Sequence, residues 1–147
     1  MKKIFLITIL FMTQESFCQV PVQWKFFSEK ISDSIYEIHL SAILQQGWHA
    51  FSQKQPPDAI ASPTLICFNR NPLLELKGGI VEKGRPENTL DTLTGIGACI
   101  YERKVEFIQK VRLKGNVTTN ISGSVRFQTC SEEECLPPQT IRFSIAL

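Results

Sequence analysis

Histidine, methionine, tyrosine and tryptophan each occur only twice in these 147 residues. The two histidines, His39 and His49, share no His-x3-His spacing, and the cysteines form no Cys-x2-Cys pair. A zinc site therefore has no ligand pattern to rest on, and neither a metal nor a cofactor is expected. Against 16 basic and 14 acidic side chains no basic block or Lys/Arg stripe stands out, which argues against nucleic acid as a partner. Helical periodicity is nearly missing, and there is no internal repeat, low-complexity tract or interdomain linker. One largely apolar run exists, nine residues from Ile4 to Met12. Crossing a bilayer as a helix takes about 20, so no stable membrane insertion is expected.

What is present at the N-terminus reads as an address. Lys2 and Lys3 precede the apolar run, and Ser16-Phe17-Cys18 places small residues at −3 and −1 of a cut before Gln19. Residues 1–18 are thus read as a signal peptide and 19–147 as one exported domain. Lipid anchoring through Cys18 is the weaker alternative, because bulky Phe17 precedes it. Export matters for chemistry, since disulfides persist outside the cytosol. Four cysteines then remain, Cys67, Cys99, Cys130 and Cys135, an even number whose connectivity spacing alone does not fix. The mature part carries 14 basic and 13 acidic side chains.

Alternation with a period of two dominates that part. Tyr36, Ile38, Leu40 and Ala42 oppose Glu37, His39 and Ser41; Val105, Phe107, Val111 and Leu113 oppose Lys104, Glu106, Lys110 and Arg112. Ile121, Val125 and Phe127 share a face, as do Ile141, Phe143, Ile145 and Leu147. Turn signals separate the runs at Gln55–Asp58, Asn69–Pro72, Gly78-Gly79, Arg85–Asn88 and Lys114–Asn116. The pattern predicts an all-β fold of about seven or eight short strands, an antiparallel, immunoglobulin-like β-sandwich.

The segment Phe127-Gln-Thr-Cys-Ser-Glu-Glu-Glu-Cys-Leu-Pro-Pro138 carries the most chemistry. A bridge between Cys130 and Cys135 closes a ring of about six residues, for which chain entropy gives roughly 2 kcal/mol, against about 4 for Cys67 to Cys130. A bond that stabilises so little suits thiol–disulfide exchange better than stapling. The bland alternative is a hairpin staple in a secreted β-sandwich that only binds or supports. By strand parity from Phe127, Cys130 is expected on the solvent side, outside the core. Pro137 and Pro138 cannot donate ladder hydrogen bonds, so Cys135 should sit on a stiff, irregular or edge segment with its sulfur reachable. Glu132, Glu133 and Glu134 disfavour thiolate, which predicts a weakly oxidising or reducing couple. Cys67 and Cys99 are expected to be inert buried thiols.

Three segments in order resemble one known family. Cys-x4-Cys-Leu-Pro-Pro looks like the active site of the N-terminal periplasmic domain of DsbD, the thiol:disulfide interchange protein. Gly47-Trp-His-Ala-Phe-Ser-Gln53, followed by Pro63-Thr64, is similar to the middle of its Bacteroidetes-type versions. Tyr101 to Val111 resembles the strand before the cysteine hairpin. The likeness spans roughly residues 22–147. It implies an immunoglobulin-like domain in the periplasm of a Gram-negative bacterium. There the disulfide is reduced by a membrane thiol reductase channel, and it reduces periplasmic thioredoxin-like or isomerase proteins, including one of cytochrome c biogenesis. By the same likeness Cys135 exchanges with partners, Cys130 resolves, and Phe127, Pro137 and Pro138 support the pair. A cap loop would correspond to Asp91-Thr-Leu-Thr-Gly95, with Leu93 and Thr94 where the family has aromatics. The chain ends at Leu147 without channel or thioredoxin-like domain, so those parts are expected as separate proteins.

Overall fold

The computed structural model describes residues 20–90 and 95–147. The expected signal peptide and the cap-loop residues Asp91, Leu93 and Thr94 lie outside the described residues. Among the described residues there are nine strands and no helix. They are β1 (Val22–Lys30), β2 (Ile35–Leu44), β3 (His49–Phe51), β4 (Leu65–Phe68), β5 (Leu74–Leu90), β6 (Gly97–Leu113), β7 (Asn120–Phe127), β8 (Thr129–Cys130) and β9 (Gln139–Ala146). All pairings are antiparallel.

The larger sheet is built around β6, whose 17 residues serve three partners. Along one edge it pairs first with β3, through Ile100–Glu102, and then with β2, through Lys104–Arg112. The other edge is taken by β5. Arg103, at the hand-over from β3 to β2, adopts the left-handed region at φ 63°, and the β5 ladder shifts register opposite it. β1 extends the sheet beyond β2, and β8 extends it beyond β3. The smaller sheet has the order β4-β7-β9.

The core lies where the inner faces of the two sheets meet. Ile38, Leu40, Ala42, Val105, Phe107 and Val111 come from the larger sheet; Ile121, Val125, Phe127, Phe143 and Ile145 come from the smaller. These are the alternating positions, because successive strand side chains point to opposite faces. Trp24 reaches between them, its ring 6.0 Å from Phe107 and 5.2 Å from Phe127.

Three sequence expectations are corrected by the ladders. Gly78-Gly79 and Arg85–Asn88 are not turns between short strands. Both lie inside β5, at or beside register shifts between Lys77 and Val81 and between Gly84 and Pro86. Glycine and proline mark bulges as well as turns, and β5 tolerates Pro86 because it is an edge strand. The first bulge is served by Gln109, a polar residue at a core position, whose Nε2 donates to the carbonyls of Lys77 (3.1 Å) and Gly78 (3.4 Å). Third, Cys67 is an exposed free thiol, not a buried one, because Ile66 and Phe68 take the inward positions of β4.

Candidate redox site

Gln128 decides where the cysteines go. It interrupts the run that begins with β7, and the chain crosses from the smaller sheet to the edge of the larger one, where β8 pairs with β3. The Gln128 side chain holds this crossing: Nε2 donates to Leu136 O at 3.1 Å, while Oε1 accepts from Ser62 N at 3.4 Å. The change of sheet also overturns the expectation for Cys130. It leaves the main core, yet only 2% of its surface is exposed. It packs with Phe51, Ala98 and Ile100 in a separate small cluster on the other face of the larger sheet.

Cys130 and Cys135 form a disulfide, their Cα atoms 4.0 Å apart across an isolated antiparallel bridge. The loop between them closes on itself. Ser131 N donates to Glu134 O at 2.7 Å, and Ser131 Oγ accepts from the amides of Glu133 and Glu134 at 3.2 Å each. Leu136 N then returns to Thr129 O at 2.9 Å. Unlike Cys130, Cys135 is exposed, as are Glu132, Glu133 and Glu134. The bond thus has one sheltered sulfur-bearing residue and one open to solvent.

A cavity of about 140 Å³ opens on the disulfide. Its walls come from four places: His49 and Phe51 of β3, Ala98, Ile100 and Glu102 of β6, Thr89 and Leu90 of β5, and Ser131 and Glu132 of the hairpin. His49 is the register partner of both Glu102 and Cys130, so these three stand in one row across β6, β3 and β8. The His49 ring also meets Phe51 edge-on, with centroids 5.3 Å apart.

Behind this wall the chain after β3 is pinned by polar contacts. Glu82 accepts from Ser52 Oγ (2.6 Å), Gln53 N (2.8 Å) and Tyr101 Oη (2.8 Å). Burial first, and then the Glu82 carboxylate, push the Tyr101 phenol well above its ordinary pKa. Gln55 behaves like one more strand residue, donating to Cys99 O (2.6 Å) and accepting from Cys99 N (3.0 Å). These contacts fix the segment that carries Phe51, and with it the floor of the cavity.

The residues singled out from the sequence are therefore placed unequally. Cys130 and Cys135 are joined. Phe127 is buried in the main core, and Pro137 and Pro138 are exposed on the approach to β9, none of them on the cavity wall. Asp91, Leu93 and Thr94 lie outside the described residues; Leu90, just before them in the chain, is on that wall. His49, Phe51, Ile100 and Gln128 were not expected at the site. The segment 47–53 was notable in the sequence, but nothing local ties it to a hairpin some eighty positions on. Cys99 is half-buried and unbridged, and no group of His, Cys, Asp and Glu able to hold a metal occurs among the described residues.

Fold and site together define an antiparallel, immunoglobulin-like β-sandwich that carries a short-loop disulfide at the rim of its larger sheet. The family model "Thiol:disulfide interchange protein DsbD, N-terminal" matches residues 14–147, and the chain belongs to that family of thiol–disulfide exchange domains. Two solved structures share the fold. The reduced-form N-terminal domain of DsbD from Neisseria meningitidis is 15% identical, with a TM-score of 0.55 over 84% of each chain. The N-terminal periplasmic domain of ScsB from Proteus mirabilis is 16% identical, with a TM-score of 0.53 over 86% of this chain and 44% of that one. No curated protein matches the chain.

Proposed function

We propose that the protein relays electrons in the periplasm of a Gram-negative bacterium. Residues 1–18 are removed as a signal peptide, and 19–147 form the working domain. A membrane thiol reductase channel reduces the 130–135 disulfide. The dithiol then reduces periplasmic thioredoxin-like or isomerase proteins, among them one serving cytochrome c biogenesis. Cys135 exchanges with the partner and Cys130 resolves. The loop holding Asp91, Leu93 and Thr94 caps the pair, and Phe127, Pro137 and Pro138 support the hairpin from outside the cavity.

The observation that carries this reading is the asymmetry of the bridge. An incoming thiolate must approach one sulfur in line with the S–S bond, and only Cys135 belongs to an exposed residue. Cys130, 2% exposed, is sheltered from a partner but stays within bonding reach of its neighbour. Exchange requires this division between an accessible sulfur and a resolving one.

Trapping tests it. With Cys67 and Cys99 replaced by serine, reduced Cys130→Ala protein, mixed with a thioredoxin-like protein in its disulfide form, should accumulate a mixed disulfide through Cys135, and Cys135→Ala should accumulate none. A domain that only binds would yield no covalent product from either variant. The carboxylates around the pair set a second expectation: a reduction potential well below that of the strongest oxidants, about −120 mV.

A further inference from the structure

We propose that His49 is the proton carrier of the 130–135 pair, taking the proton from Cys130 when that thiol attacks and returning it when the bridge opens. The inference rests on the exchange reading above and adds a residue to it. It starts from burial. Opening the bridge at Cys135 leaves an electron pair, and so a negative charge, on the sulfur of a residue that is 2% exposed. An isolated thiolate there lacks water to solvate it, and burial disfavours the charged form. A neighbour that donates a proton removes that cost.

His49 is placed for this. It is the direct cross-strand partner of Cys130 and shares the cavity wall with both cysteines. Among the described residues, the charged groups that share this wall with it are Glu102, its register partner on β6, and Glu132 of the hairpin. β5 contributes uncharged Thr89 and Leu90 to this wall; Asp91, next in the chain, lies outside the described residues. Both carboxylates disfavour a thiolate on the wall they share with the pair. The proton leaving Cys130 therefore needs an acceptor beside the sulfur, and His49 is the cross-strand neighbour whose ordinary range lets it move a proton near neutral pH.

The Cys135 thiolate attacks a partner disulfide, forming a mixed disulfide and releasing one partner thiolate. The His49 ring takes the proton from Cys130. The resulting thiolate attacks the Cys135 sulfur, the 130–135 bond forms, and the Cys135–partner bond breaks with its electron pair leaving on the partner sulfur. The partner gains two electrons, and the domain loses two. Reduction of the domain runs the same steps backwards, with His49 delivering the proton to Cys130.

Ring closure on a chromogenic aromatic disulfide reads this step. The reagent loads Cys135 of the reduced protein, and attack by Cys130 releases the second coloured thiol; Cys67 and Cys99 are replaced by serine throughout. In His49→Gln the midpoint of the rate against pH should move up by about one unit, slowing closure near neutral pH about tenfold, with the alkaline plateau unchanged. His49→Lys, whose ammonium has no lone pair to take a proton at neutral pH, should not restore the neutral rate; full recovery would show that a cation is enough and would overturn the inference. Equal midpoints in parent and His49→Gln overturn the inference. A measurement on unsubstituted His49 covers misfolding of both variants: its ring proton resonances should report the Cys130 titration in the reduced protein and not in the oxidised one, and identical titrations also overturn it. Failure of ring closure at every pH would instead sink the exchange reading itself.

Discussion

Reduction should open the 130–135 bridge without unfolding the domain, and the loss in stability can be worked from the ring. The two cysteines are five positions apart, so the bridge withholds little freedom from the unfolded chain. Chain entropy puts its contribution at about 2 kcal/mol, half of what a bridge from Cys67 to Cys130 would give. What remains after reduction is enough to keep the hairpin. Ser131 N to Glu134 O, Leu136 N to Thr129 O and Gln128 Nε2 to Leu136 O do not depend on the sulfur bond. The Cys130 thiol stays packed as a small apolar group against Phe51, Ala98 and Ile100. For a domain of this size each kcal/mol corresponds to roughly 3–5 °C, so Tm should fall by about 6–10 °C. Circular dichroism melts of the protein with and without excess dithiol measure this. Loss of the near-ultraviolet signal on reduction, or a fall beyond about 15 °C, would refute the argument that the bond is free to cycle because the fold does not need it.

Three further outcomes follow from the packing. Gln128→Ala removes the side-chain link to Leu136 and should cost about 1 kcal/mol while raising amide exchange at Leu136, read by hydrogen-exchange mass spectrometry. At Gly123 a Cβ would collide with the Cys67 carbonyl and the Phe143 ring, so Gly123→Ala should lose about 1–3 kcal/mol in urea titration. Gly97→Ala, where the nearest atom is 3.9 Å away, should stay within about 0.5 kcal/mol. Tyr101 gives the pH dependence. Its folded pKa lies above the unfolded value of 10.0, so its contribution is complete below that value and drains away as pH climbs towards the folded one. Tyr101→Phe should cost about 1–2 kcal/mol at neutral pH and flatten the alkaline decline, seen as urea midpoints that converge with the parent above about pH 10.

The local pattern of hydrophobic and polar residues was enough to determine much of this protein. Alternation in β2, β6, β7 and β9 names the residues that meet between the sheets, because a strand has two faces and only one can be apolar when the other meets water. Cys-x4-Cys followed by Leu136-Pro137-Pro138 marks the disulfide hairpin for a related reason: ring size, turn chemistry and the missing proline donors all act within a dozen residues. Tertiary structure decided what depends on partners far along the chain. Gly78-Gly79 and Pro86 bend one long strand instead of dividing two short ones, because β6 runs beside them and keeps the ladder going. Parity predicts a solvent-facing Cys130 only while β7 continues; the break at Gln128 hands the chain to another sheet, and a face that parity leaves open is covered by Phe51, Ala98 and Ile100. His49 stands opposite Cys130 through a pairing between residues eighty-one positions apart. No period or spacing reports such a pairing, since register between distant strands is set by how both sheets close around their shared core.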